Sequence, residues 1–173
     1  MHLLRSLSLL LALSACASTP QLEAAPIAVA QQPRFDAFAF FTGRTEGKGR
    51  LSKVFTGSAT TATLVEGEGK VTGGKLHLVQ QVYEGEKPMR TREWAIREDR
   101  PGHYTGTLSD ATSAVTGETD GNRLHLAFTI KGGLPVEQWL TVSPDGKRAY
   151  NLLKVRKWGL TVAVLSEDIR RLD

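Results

Sequence analysis

From Gly43 onward the chain breaks into short runs rich in Thr, Val, Leu and Tyr, separated by glycine-bearing breaks. The pattern predicts strands at Arg44–Phe55, Ser58–Glu66, Lys75–Tyr83, Arg90–Arg97, His103–Leu108, Ala114–Thr119, Arg123–Lys131, Glu137–Val142, Ala149–Lys157 and Gly159–Leu165. Turns are expected at Gly67-Glu68-Gly69, Gly73-Gly74, Gly85, Pro101-Gly102, Asp120-Gly121-Asn122, Gly132-Gly133 and Pro144-Asp145-Gly146. Alternation is clean in two of the runs. Leu76, Leu78 and Val82 share one face, as do Leu124, Leu126, Phe128 and Ile130, while Arg123, His125, Thr129 and Lys131 take the other. The segment from Gly69 to Leu78 is echoed from Gly117 to Leu126, so one strand-turn-strand unit occurs twice. Many short strands with one dry face predict a sandwich or an up-and-down barrel. Before them, Asp36 is a fair N-cap for a helical turn carrying Ala37, Phe38, Ala39, Phe40 and Phe41, an aromatic plug for an opening. Ser166 to Leu172 are expected to fray or to form a terminal helical turn.

The N-terminal pattern is different. His2 and Arg5 precede an apolar run from Leu7 to Leu13, shorter than the roughly 20 residues that span a bilayer. This is the layout of an export signal over residues 1–15. Ala17 to Arg34 holds Pro20, Pro26 and Pro33 without apolar periodicity, so 16–34 reads as a flexible tether and 35–173 as the folded domain. The only cysteine, Cys16, stands at the boundary, where a free thiol in an exported chain would have no partner. Leu13-Ser14-Ala15-Cys16 resembles the lipobox of bacterial lipoproteins. That resemblance implies cleavage before Cys16, a diacylglycerol on its sulfur, acylation of the freed amine, and membrane attachment without a span. The other reading is an ordinary secretory signal with an incidental cysteine. An aspartate after the lipidated cysteine resembles an inner-membrane retention signal; Ala17 in its place implies the outer membrane.

Length and charge narrow the possibilities. The 173 residues are enough for one domain. The net charge of +4 falls to +3 once Arg5 leaves with the leader, too thin and scattered a surplus for nucleic acid. Lys147, Arg148, Lys154, Arg156 and Lys157 make the densest basic stretch, either a solvated face or a lipid-facing one. Neither a His-x-His nor a His-x-x-x-His spacing occurs, and no cysteine cluster, so no metal site or cofactor is expected. His77 and His125 belong to polar strand faces. No Gly-x-Ser-x-Gly elbow marks a nucleophile, and Glu66/Glu68 and Glu98/Asp99 lie beside turns where solvation explains them. Gly67-Glu68-Gly69-Lys70 lacks the spacing of a phosphate loop.

Phe41-Thr42-Gly43-Arg44-Thr45-Glu46-Gly47-Lys48-Gly49 resembles the opening Gly-x-Trp-x-Gly-x-Gly of the calycins, with Thr45 in place of the tryptophan. A wider resemblance runs from Phe35 to the end, to a bacterial family of uncharacterised, lipocalin-like lipoproteins. It is carried by residues 40–49, Arg92-x-Trp94, Tyr104-Thr105-Gly106-Thr107, Gly117, Gly121-Asn122, Trp139, Asn151 and Lys157-x-Gly159. The resemblance implies an all-β, antiparallel up-and-down barrel of about 8–10 short strands, lipid-anchored in a Gram-negative envelope. It brings no reaction and no ligand.

The candidate site is a cavity. Arg92 and Trp94 share a strand face, Tyr104 begins the next run, and Trp139 and Asn151 lie on two later strands. A guanidinium and amphipathic rings at the end of a dry chamber suit a carboxylate or phosphate head with an apolar tail. Alternatively Trp94 and Trp139 are core aromatics, with Arg92 stacked on one or paired with Glu93 or Glu137. Three functions follow. The expected one is a non-enzymatic envelope lipoprotein binding a lipid-like or other apolar small molecule. The second is an envelope scaffold with a packed barrel, and the third an enzyme acting on a lipid or glycan. A chamber of several hundred cubic ångströms favours the first over the second. Replacing Cys16 with alanine should leave the chain soluble or unprocessed, measured as loss of partitioning with envelope lipid after fractionation.

Overall fold

The computed structural model describes residues 27–54 and 60–173. One helix, α1 (Ala37–Phe41), precedes the strands β1 (Gly43–Lys53), β2 (Thr60–Thr72), β3 (Lys75–Glu84), β4 (Arg90–Arg100), β5 (His103–Leu108), β6 (Val115–Asp120), β7 (Arg123–Ile130), β8 (Leu134–Val142), β9 (Arg148–Lys157) and β10 (Leu160–Arg171). Each strand pairs antiparallel with its sequence neighbours. The last then returns to the first, from Thr45 opposite Arg171 to Lys53 opposite Ala163, closing a barrel. Closure leaves no unpaired edge to recruit another chain. This is the expected lipocalin-like up-and-down architecture. The outer wall carries charged side chains such as Lys48, Arg50, Glu66, Glu68 and Lys70, and the inner wall is mostly apolar. A membrane-spanning barrel has the opposite arrangement.

Two expectations change. Ser166 to Leu172 neither fray nor coil: β10 runs to Arg171 between β9 and β1. Its inward positions Leu165, Glu167 and Ile169 continue the strand alternation, which the polar residues around them hide from a hydrophobicity count. Gly67-Glu68-Gly69 is not a turn either, but part of β2. A Cβ at Gly67 would lie 2.6 Å from Thr45 Oγ1, and one at Gly69 only 1.8 Å from the Phe41 carbonyl oxygen. These glycines thin the wall so that the end of α1 can lie against it. β8 also starts at Leu134, ahead of the expected Glu137. The expected strand ends at Phe55 and Ser58 lie outside the described residues.

The repeated unit is a repeated hairpin. β2 and β3 turn at Gly73-Gly74, and β6 and β7 at Gly121-Asn122. In a meander successive connections alternate between the two ends, and both of these turns lie at the end that α1 closes. There Asp36 caps the helix, its Oδ1 accepting from Phe38 N at 2.9 Å and Ala39 N at 3.0 Å. Phe35, Phe40 and Phe41 are buried beneath it, with ring centroids 5.6 Å apart for the first pair and 4.9 Å for the second. Asn122, read as a turn residue, is buried. Its side chain accepts from Ala30 N at 2.8 Å and donates to Ala28 O and Val142 O, each at 3.0 Å. The stretch expected to be tether is therefore fastened to the barrel from Ile27 on, and the fold begins before Phe35. Residues 1–15 and Cys16 lie outside the described residues.

Gly69→Ala should force the plug and wall apart, an overpacking cost of about 1–3 kcal/mol. The measurement is the urea midpoint, with Gly73→Ala, at φ 58° and with nothing within 4 Å of its added Cβ, showing what backbone strain without a clash costs.

Candidate functional site

Strand alternation turns one side chain in two toward the barrel axis, and these side chains do not fill it. A cavity of about 480 Å³ runs from α1 to the opposite, open end, its walls mainly Leu, Val, Ile and Phe. Ala37 and Phe41 floor it, and Leu134 and Val162 stand near its mouth.

Charge is concentrated toward the mouth in two clusters. In the first, Asp110 from the β5–β6 connection takes Arg90 Nη1 at 3.0 Å and Arg92 Nε at 3.1 Å. The Arg92 guanidinium also lies 5.3 Å from the Trp94 ring centre, and Trp94 Nε1 donates to Gln80 Oε1 at 2.7 Å. Burial pushes the Arg92 pKa down and Asp110 opposes it; the guanidinium stays cationic. In the second, Glu84 is shared by Lys53, at 3.2 Å, and Lys87. Burial alone would raise the Glu84 carboxyl, but the hydrogen bonds from Lys87 and Lys53 outweigh it and hold it below the ordinary range. Each cluster sets two cations against one carboxylate and keeps a net positive charge.

Deeper lies a carboxyl of the other kind. Glu167 of β10 is 5% exposed and accepts from Asn151 Nδ2 through Oε2 at 3.0 Å. Burial raises its pKa, against the Asn151 hydrogen bond and the charge of Arg92. Three buried oxygens in this part of the wall, Gln138 Oε1, Asn151 Oδ1 and Glu167 Oε1, have no hydrogen-bond partner among the described residues. The protonated acid carries a hydroxyl to donate, where the carboxylate only accepts. The glycines of β1 make room for it: a Cβ at Gly47 would stand 2.5 Å from Glu167 Oε1, and one at Gly49 2.9 Å from Glu167 Cβ. The Gly47-x-Gly49 motif of β1 is the cradle of this side chain.

Of the residues expected at the site, Arg92, Trp94, Tyr104 and Asn151 line the cavity. Tyr104 belongs to its floor, where its hydroxyl accepts from Ala37 N at 3.4 Å and Phe38 packs on its ring. Trp139 is not brought to it. It faces outward, stacked on His125 at 5.0 Å with Lys154 Nζ 5.4 Å from its ring centre, because its neighbours Gln138 and Leu140 take the inward positions. Arg92 pairs with Asp110, not with Glu93 or Glu137. His77 is exposed on the outer wall, and no three His, Cys, Asp or Glu side chains cluster as metal ligands among the described residues. Sequence reasoning missed Gln80, Asp110, Gln138 and Glu167, and with them the rim charges Lys53, Glu84, Lys87 and Arg90. Gln80 was open to detection, since it shares the face of Leu76, Leu78 and Val82. Glu167 sits between Leu165 and Ile169 in the same alternation.

Residues 10–171 match the family described as "Protein of unknown function (DUF3833)". No curated protein matches the sequence. Among solved structures the fold is similar to that of Rv2717c from M. tuberculosis, with TM-score 0.59 and 18% identity over 79% of this chain and 96% of that one. It is also similar to a DUF3598-family protein of unknown function from Nostoc punctiforme PCC 73102, with TM-score 0.62 and 10% identity over 82% of this chain and 51% of that one. A third is the S-type phycobiliprotein lyase CPES from Guillardia theta, with TM-score 0.60 and 5% identity over 79% and 90%. At these identities the likeness is one of fold.

Because the folded-state pKa of Glu167 is raised, its ionisation opposes folding. The stability contributed by the neutral acid is complete below the unfolded value, about 4.3, and is lost as pH rises toward the folded one. Glu167→Gln keeps the Asn151 bond and removes that loss. Its melting temperature should equal wild type near pH 3 to 4 and exceed it increasingly toward neutral pH; parallel curves would show that Glu167 carries no such penalty.

Proposed function

We propose that this chain, which belongs to the DUF3833 family of proteins of unknown function, is a non-enzymatic container for an anionic amphiphile. The apolar tail occupies the lumen, and the carboxylate or phosphate head lies toward the mouth, near Arg90, Arg92, Lys53 and Lys87. The observation that carries this reading is an unfilled chamber of about 480 Å³, within the roughly 300–1,000 Å³ of small-molecule sites, with two net-positive clusters by its entrance. A packed scaffold has no use for such a space. With the leader and Cys16, the proposal extends to a lipoprotein tethered in the periplasm at the outer membrane, carrying its ligand unchanged.

Titration of the full chain with cis-parinaric acid, a fluorescent polyene fatty acid, tests the container. Fluorescence should rise to saturation at one equivalent. Leu126→Trp should fill the lumen and abolish the rise. Arg92→Leu, which leaves Asp110 paired with Arg90, should weaken binding about tenfold, the equivalent of about 1.4 kcal/mol. No rise with wild type, or an undiminished one with Leu126→Trp, would overturn the reading, and equal binding of the methyl ester would remove the role given to the cations.

A further inference from the structure

We infer that the open rim of the barrel is a docking surface for an anionic lipid bilayer, with the β9–β10 turn as its inserting tip. The inference goes beyond ligand storage and begins from a residue in the wrong place for folding. Trp158 and Gly159 form a two-residue turn between paired Lys157 and Leu160, with φ of 52° and 80°. Both values lie in the left-handed region, which suits Asn and Gly and strains a bulky side chain. Trp158 is the one non-glycine residue with positive φ among the described residues. Trp158 is 88% exposed and takes no part in the hydrophobic core, its ring instead facing Lys157 Nζ at 4.5 Å from the ring centre. A strained, unpacked aromatic on a hairpin tip marks a contact with something outside the chain.

The surroundings say what that is. Leu160, 61% exposed, follows the turn; Val54, also exposed, lies beside it, since Val54 N donates to Val162 O at 3.0 Å. Met89, in the β3–β4 connection at the same end, is exposed as well. Among the described residues neither Lys131 of the β7–β8 turn nor Lys157 lies within 4 Å of a carboxylate. With the two net-positive clusters these lysines outweigh Glu86, the remaining acid of the rim. Of the rest of the densest basic stretch, Lys154 lies over Trp139, Arg156 pairs with Glu137 at 2.9 Å, and Lys147 and Arg148 lie toward the closed end, Arg148 paired with Asp168 at 3.0 Å. Tryptophan beside lysine is the pairing that settles at a membrane interface, where the ring enters the headgroup layer and the ammonium meets lipid phosphate. A protein partner is the weaker fit. Among the described residues the exposed apolar groups of the rim are few, Trp158, Leu160 and Val54 at one side and Met89 in another connection, interspersed with lysines, and a bilayer accommodates such an uneven rim by deforming around it. Because α1 closes the other end, the rim is also the side through which cargo would pass to lipid.

The full chain, with Cys16→Ala in every sample so that no acyl group anchors it, is mixed with vesicles of bromine-labelled phosphatidylcholine, with and without phosphatidylglycerol, and tryptophan emission and sedimentation are followed. Wild type should bind the anionic vesicles, with emission quenched by the bromines and binding weakened by salt. Trp158→Asn suits the turn and should melt no lower than wild type, yet lose the quenchable signal and about tenfold in vesicle affinity. Lys131→Glu with Lys157→Glu should abolish the preference for phosphatidylglycerol. Equal affinity of Trp158→Asn and wild type, unquenched emission on bound vesicles, or equal binding with and without phosphatidylglycerol would overturn the inference. The same preparations separate it from the container reading. Trp158→Asn should still take up cis-parinaric acid at equilibrium, and vesicle binding by a wild type that takes up none would leave docking standing while the container fails.

Discussion

The pairing of β10 with β1 is the interaction on which the rest of this structure depends. Nine residue pairs from Thr45/Arg171 to Lys53/Ala163 join the two ends of the meander, and without them the inner faces of both strands would be open to water. Closure sets a circumference, and a ten-stranded circumference is wider than ordinary core side chains fill. The cavity is thus a consequence of strand number before it is an adaptation. What sequence adds is selection of the side chains that face the space and of the positions where none does. Gly47, Gly49, Gly67 and Gly69 all lie on β1 and β2, where a side chain would collide with Glu167, Thr63, Thr45 or the end of α1.

Polar groups inside such a wall are costly unless engaged, because a group stripped of water and left without a partner loses hydrogen bonds that nothing replaces, and a charge loses most. The barrel resolves this in two ways according to depth. Near the mouth, charges remain and are shared among neighbours, two cations to a carboxylate. Farther in, burial shifts Glu167 toward its neutral form and Asn151 supplies the bond. The result is a gradient from charged and net positive at the entrance to polar within and apolar beyond.

The two ends of the barrel are built to different rules. The closed end obeys local preferences: a capped helix, buried phenylalanines, and Asn122 satisfying three backbone groups. The open end breaks them, placing an exposed tryptophan where an asparagine would be more comfortable. Departures from local consistency in an otherwise consistent sequence are where an external demand shows.

Much of this was legible from residue order alone. Period-two alternation marked the strands and, in the clean runs, their dry face; glycine-rich pairs marked most turns; Asp36 with the phenylalanines marked the plug; and Arg92 with Trp94 marked one wall of the cavity. These are local signals, readable within a few residues. Order along the chain could not say that Arg92 meets Asp110, that Asn151 meets Glu167, or that Trp139 turns outward. Those depend on register between strands, and a one-residue shift exchanges inside for outside. Nor could it distinguish the Gly67 and Gly69 of a thinned strand from the glycines of a turn, because the reason for them, the carbonyl of Phe41 and the hydroxyl of Thr45, arrives only when the sheet has closed around the helix.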